Sequence, residues 1–256
     1  MHDRIAYFFS NQVGTGIFVP DYAWLLSTAI VVFIYFVVQQ AEKRDLDLKK
    51  VFLSCLITVG FALVGARLYI VFRDFDYYWH QAIEIIYLWK GTASFGAYIG
   101  GLIGAIIASR WQNLSLPKFL DCCAPSLALA ISLGRLGCFL NGCCYGKMSG
   151  LPWALRFSEG SMPVHPTQLY ASVYALILFF GLRAYRKYQR CDGELVALFF
   201  IFYPLGRFLN EFLRGDDRGD LFGLSVPQFF CLVAVFLSTW FLLSKIKAGR
   251  IAPGEQ

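Results

Sequence analysis

Charge is what this chain has least of. Asp, Glu, Lys and Arg together make up 16% of its 256 residues, where soluble domains run near ~25%. With 57% hydrophobic residues, 18% aromatics and a mean hydropathy of +0.55, that scarcity excludes a water-soluble domain and indicates an integral membrane protein. Histidine is scarcer still: only His2, His80 and His165 occur, none at zinc-ligand spacing to the cysteines, so no metal site is expected. No run of five or more basic residues exists, so the net charge of +6 does not indicate nucleic acid. Residues 1–20 lack a basic stretch followed by an apolar core and a small-residue cleavage site, so the first span is expected to act as its own insertion signal. No inverted repeat of broken helices is visible, which argues against a transporter.

What is present is a series of apolar runs. They fall near 22–41, 51–72, 91–109, 119–141, 167–187, 194–214 and 226–244. The expected fold is therefore all-α: one polytopic transmembrane domain over 1–256, with about seven spans. Residues 1–21, rich in aromatics and glycine, read as a segment lying in the interface. The stretch 73–90 reads as an interfacial loop or helix. Gly96, Gly100 and Gly104 recur every four residues and form a stripe that permits close helix contact. The loop 142–166 is too long for a passive connector and is a candidate for function.

Loop charges set the expected orientation. One set of connections carries Lys43, Arg44, Lys49, Lys50, Arg110, Lys118, Arg183, Arg186, Lys187, Arg190, Lys245, Lys247 and Arg250, and should be cytoplasmic. The N-terminus and the loop 142–166 then face outward, and the C-terminus faces the cytoplasm. Three arginines stand inside or at the outer ends of spans: Arg135, Arg207 and Arg214. Placing an arginine in a bilayer costs at least ~2.5–3.5 kcal/mol, so each is a functional-site candidate. At ~1.5 Å per residue Arg135 lies ~24 Å, and Arg207 ~20 Å, above the inner ends of their spans. Arg207, Asn210, Glu211 and Arg214 follow at i, i+3, i+4 and i+7, one face of a helix. Guanidinium forks on two helices at similar depth suit a phosphate, and in a membrane that means a phospholipid headgroup. A polar cavity open toward the outer leaflet is expected around them. Single snorkelling to the interface explains Arg214 readily, and Arg135 and Arg207 less well, since both lie deeper and follow a glycine (Gly134, Gly206).

The stretch Gly134-Arg135-Leu136-Gly137-Cys138-Phe139-Leu140-Asn141-Gly142-Cys143-Cys144-Tyr145-Gly146 resembles the signature of bacterial prolipoprotein diacylglyceryl transferases, roughly G-R-x-G-N-F-x-N-G-E-x-x-G. Further pieces agree in order: Gly65-Ala66-Arg67-Leu68, Gly100-Gly101-Leu102-Ile103-Gly104, Asp121 with Ala124-Pro125, His165-Pro166-Thr167-Gln168-Leu169-Tyr170, Gly206-Arg207-Phe208, Glu211-Phe212-Leu213-Arg214, and Ser225 with Gln228. The resemblance implies seven spans in the bacterial cytoplasmic (inner) membrane. It also implies transfer of a diacylglyceryl group from phosphatidylglycerol to the lipobox cysteine thiol of a prolipoprotein. The product is a thioether, glycerol phosphate leaves, and no metal or soluble cofactor takes part. Arg135 and Arg207 would hold the phosphate, with Arg214 assisting or pairing with Glu211. Asn141 would bond the glycerol or the backbone at the bend. Gly134, Gly142 and Tyr170, with Tyr22 at the head of the first span, are counted with the substrate-binding set.

The chain also departs from that signature. Cys138 stands at its first asparagine and Cys143 at its glutamate. No histidine follows Ser94-Phe95 in the glycine-rich third span, where the family usually carries one. His165 and Glu211 are then the candidates for the base that takes the thiol proton, and His165 could equally cap the fifth span. The departures leave room for a paralogue with another acceptor or donor lipid, and for a lipid-binding or transport protein without chemistry. Of the eight cysteines, most lie in apolar runs as small hydrophobes. Cys138, Cys143 and Cys144 cluster at a helix end; packing is the leading reading there, with a disulfide or a transient metal-ligand set as alternatives.

Overall fold

The computed structural model describes residues 22–86, 94–157, 161–216, 219–221 and 223–251. The expected interfacial segment 1–21 and the side chain of Tyr22 lie outside the described residues. Among them the chain is helical almost throughout: α1 (Tyr22–Glu42), α2 (Leu48–Arg73), α3 (Phe75–His80), a 3-10 turn (Ala82–Ile86), α4 (Ser94–Trp111), α5 (Leu116–Leu140), α6 (Thr167–Tyr185), α7 (Glu194–Glu211) and α8 (Val226–Ile251). A short antiparallel ladder, β1 (Asp220–Leu221) with β2 (Leu224–Ser225), precedes α8. Five helices are long and apolar enough to cross a membrane: Trp24–Glu42, Leu48–Arg73, Leu116–Leu140, Thr167–Tyr188 and Val226–Lys247. The other two expected spans stand outside that set for different reasons. Helix α4 has 18 residues, about 27 Å against a hydrocarbon core of ~30 Å. Helix α7 carries three ionisable side chains, Glu194, Arg207 and Glu211.

The contacts group into two compact units, Ile34–Cys122 and the chain on either side of it, and α1 and α5 each contribute residues to both. In the first unit α2 lies against α4 along the glycine stripe. A Cβ on Gly100 would meet the Phe61 carbonyl oxygen, and one on Gly65 would stand 2.9 Å from the Gly100 Cα. Glycine is thus the residue that lets the two backbones touch. Arg67, only 3% exposed on α2, donates from Nε to the Ile85 carbonyl at 3.1 Å and lies 4.9 Å over the Tyr78 ring. It clasps the segment 75–86, which forms α3 and the 3-10 turn. Asp47 starts α2 by accepting from the backbone N–H of Lys49 (3.0 Å) and Lys50 (3.3 Å). The buried Asp121 of α5 faces Arg44 at 3.7 Å.

In the second unit α6, α7 and α8 pack in sequence. Ser132 and Ser172 join α5 to α6 through an Oγ···Oγ contact of 3.0 Å and a Ser172 hydroxyl bond to the Ser132 carbonyl at 2.9 Å. Glu194 closes the turn before α7 by accepting from the Tyr185 hydroxyl at 2.8 Å. Ser225 and Gln228 cap α8 reciprocally: Ser225 N–H donates to Gln228 Oε1 at 2.9 Å and Gln228 N–H to Ser225 Oγ at 3.4 Å. That pair is a helix start.

Candidate active site

The signature stretch ends α5 and turns back. Helical bonds continue to Asn141, whose N–H donates to the Gly137 carbonyl at 2.9 Å. Gly142 then takes φ +61°, its N–H bonded to the Phe139 carbonyl at 3.0 Å. Gly142, expected among substrate-binding residues, is therefore a turn residue that a side chain would strain. Gly142→Ala should cost about 1–2 kcal/mol, read as a lower thermal midpoint in detergent.

The loop 142–166 is stitched to the ends of α6 and α7. Gly146 N–H donates to the His165 carbonyl (2.9 Å), His165 N–H to the Lys147 carbonyl (3.0 Å) and Lys147 N–H to the Leu213 carbonyl (2.8 Å). Thr167 Oγ1 donates to the Cys144 carbonyl at 2.8 Å, and Gln168 Nε2 to the Cys143 carbonyl at 2.6 Å. Met148 and Leu155 both bridge to Val164. The described residues of the loop are thus fastened to the start of α6.

Arg207 and Glu211 form an ion pair one helical turn apart, with side-chain exposures of 13% and 4%. Their four-residue spacing put them on one face, and the structure keeps them there. Arg214 corrects the expectation of a continuous helical face. Helix α7 ends at Glu211; Phe212, Leu213 and Arg214 follow in tight turns whose N–H groups reach back three residues, and Arg214 pairs as a bridge with Gly146. Its fork holds Asp216 through Nε (2.8 Å) and Nη2 (2.9 Å), and Nη1 donates to the Cys144 carbonyl at 3.2 Å. Arg214 is 6% exposed and ties the loop to the end of α7.

Arg135 stands one turn beyond Ser132, so its part of α5 is fastened to α6 at Ser172. Asn210, one turn beyond Arg207, donates from Nδ2 to the Thr167 carbonyl at 3.1 Å. Both arginine-bearing helices are thus pinned to the first two turns of α6. The glycines before the arginines differ. A Cβ on Gly134 would meet nothing within 4 Å, whereas one on Gly206 would run into the Tyr174 ring. Gly206 is a packing glycine; Gly134 borders open space.

His165 does not cap α6, whose N-cap is Pro166 without a side-chain bond. Its Nδ1 instead lies 3.4 Å from the Tyr170 hydroxyl, which also accepts from Trp153 Nε1 at 2.8 Å. Two residues not singled out from sequence for this role hold buried acceptors with no hydrogen-bond partner: Gln168 Oε1 and Asn210 Oδ1. Such an oxygen costs about 1–3 kcal/mol when left unmet, which suits a site that receives a hydroxyl-bearing ligand. No sequence signal marks them beyond their place in the motifs. The thiols of Cys138, Cys143 and Cys144 lie within 4.8 Å of one another. Hydrogen bonds from Cys138 and Cys143, with the Arg214 guanidinium nearby, hold the Cys144 thiol well below its ordinary range.

A family model described as prolipoprotein diacylglyceryl transferase matches residues 12–244. A phosphatidylglycerol–prolipoprotein diacylglyceryl transferase of Geobacter sulfurreducens is 35% identical over 234 residues, 84% of this chain and 87% of its own. Proteins of the same description from Clostridium tetani (31% identical; 87% of this chain, 91% of its own) and Thermosynechococcus vestitus (32%; 92% and 91%) are similar along nearly the whole length.

Proposed function

This chain belongs to the prolipoprotein diacylglyceryl transferase family, and on that premise we propose that it moves the diacylglyceryl group of phosphatidylglycerol onto a lipobox cysteine of a prolipoprotein. The thiolate sulfur attacks the diacylglyceryl carbon that bears the phosphate ester. A sulfur–carbon bond forms, the carbon–oxygen bond breaks, and glycerol phosphate leaves with the electron pair. Charge grows on the departing phosphate, so fixed cationic donors in a water-poor site lower the barrier. Arg207, oriented by Glu211, and Arg135 supply them, and Gln168 Oε1 and Asn210 Oδ1 accept from glycerol hydroxyls. The thiol proton goes to His165, whose ring is positioned by Tyr170. The site belongs to a seven-span domain of the bacterial cytoplasmic membrane, with the N-terminus extracytoplasmic and the cavity open to the outer leaflet.

The observation that carries this reading is the buried Arg207–Glu211 pair on a helix fastened to the first turn of α6, with the Arg135 helix fastened to the second. The test is a mass assay in phosphatidylglycerol proteoliposomes with a lipobox peptide. Diacylglyceryl-modified cysteine and glycerol phosphate should appear in equal amounts. No product, with lipid binding retained, overturns the reading. His165→Gln should lower turnover by on the order of 10²-fold, the scale of a lost general base. Unchanged turnover would remove His165 from the proton path.

A further inference from the structure

We propose that Cys138, Cys143 and Cys144 form a binding site for one thiophilic metal ion of the zinc or copper(I) class, independent of the transfer reaction. Three sulfurs, from the last turn of α5 and the bend after it, converge within 4.8 Å. With metal–sulfur bonds of about 2.3 Å, ligand sulfurs stand about 3.8 Å apart. Closing the cluster onto an ion therefore needs only small rotations of side chains already facing one another.

The surroundings argue for a ligand set over packing. Cys55, Cys122, Cys123 and Cys231 are buried, as packing cysteines are, whereas Cys138, Cys143 and Cys144, like the lone Cys191, are half-buried. Cys144 adopts φ +68°, a left-handed conformation that costs an ordinary residue about 1–2 kcal/mol. Its carbonyl is held by Thr167 and Arg214 and that of Cys143 by Gln168, so the strained bend is fixed from outside. A disulfide would use two of the sulfurs and leave the third without a role; a metal ion uses all three. A divalent ion on three thiolates carries one net negative charge, and the Arg214 guanidinium stands beside the cluster, its Nη1 donating to the Cys144 carbonyl at 3.2 Å. Each thiol that binds gives its proton to solvent, and no oxidant or reductant is needed. Thiolate ligands favour zinc and copper(I) over magnesium, calcium or manganese.

The test uses the full-length protein, reduced and purified in detergent, with Cd²⁺ as the optical probe. Sulfur-to-cadmium charge-transfer absorption should rise to one equivalent per chain and be displaced by Zn²⁺. Cys138→Ser, Cys143→Ser or Cys144→Ser should each weaken Cd²⁺ binding by more than about 100-fold, beyond what loss of a supporting contact costs; Cys231→Ser should not. A second readout needs no variant: Zn²⁺ should protect these three thiols of the wild-type chain from maleimide, located by peptide mapping. Equal labelling with and without Zn²⁺, absorption unchanged in the triple serine variant, or a protein isolated with a disulfide in the cluster and taking up no metal would each overturn the proposal. Transferase turnover is not the readout, so either reading can fail alone.

Discussion

Arg207→Ala should lose turnover by on the order of 10³-fold, the upper end of what removing one positioned donor to a developing anion costs. The same substitution should also destabilise the protein, because it strands Glu211. That carboxylate is 4% exposed, and breaking a buried pair from one side costs about 3–5 kcal/mol. A dead variant alone would therefore not separate chemistry from folding. Two companions do. Arg207→Lys keeps the charge but loses the planar fork, and should retain stability while falling about 10²-fold in kcat. The double variant Arg207→Met, Glu211→Met removes both charges, and apolar replacement of a buried pair is often neutral or stabilising. Its thermal midpoint should return to near wild type while turnover stays absent. Product formed by a well-folded double variant at more than a few per cent of wild type would show that Arg207 does not hold the phosphate. Arg135→Ala should match the loss of turnover.

The same pair shows how much of the site could be seen in the sequence. Four-residue spacing on an apolar helix put Arg207 and Glu211 together, and local geometry was enough. Arg214 could not be placed that way, because the end of α7 is set by tertiary stitching of Gly146 and Lys147 to residues 213 and 214. Periodicity, running on through Arg214, does not register that stitching. The long apolar runs of α1, α2, α5, α6 and α8 were legible for the reason that makes them spans: no water is available to satisfy their backbone. Helix α7 was visible as an element, but its three ionisable residues keep composition alone from certifying it as a span. The three cysteines were legible as a group at a helix end, but not the convergence of their sulfurs. Gaps of five and one residues follow no helical or strand period, and the convergence depends on positive φ at Gly142 and at Cys144, a residue type that rarely adopts it. For His165 the sequence offered base or cap; the structure puts Pro166 at the cap and the His165 ring against Tyr170, and its part as base is a proposal. Gln168 sits inside a recognised motif, yet only the fold reveals that one of its oxygens is buried without a donor.

The second large effect concerns folding, at the glycine contact between α2 and α4. Gly100→Ala should destabilise the protein by about 3 kcal/mol, the upper range for forcing an atom into a packed core. The added methyl would collide with the Phe61 carbonyl oxygen and come within 3.1 Å of the Gly65 Cα, both rigid backbone. Neither helix can relieve the clash by rotating a side chain, so the two must separate and lose the close packing that holds helices together in lipid. Gly104→Ala should behave alike, since its methyl would stand 2.7 Å from the Phe61 Cβ and 3.0 Å from the Thr58 Cα. The controls sit on the same two helices. Gly101→Ala would make an ordinary 3.5 Å contact with the Ala62 Cβ, and Gly60→Ala would meet nothing within 4 Å. Both should be neutral or stabilising by up to about 1 kcal/mol, the helix-propensity difference between the two residues. Unfolding midpoints of the four variants in one detergent, titrated with SDS, check this directly. If Gly100→Ala and Gly60→Ala unfold together, the backbones of α2 and α4 do not touch at Gly100, and the glycine spacing has another cause.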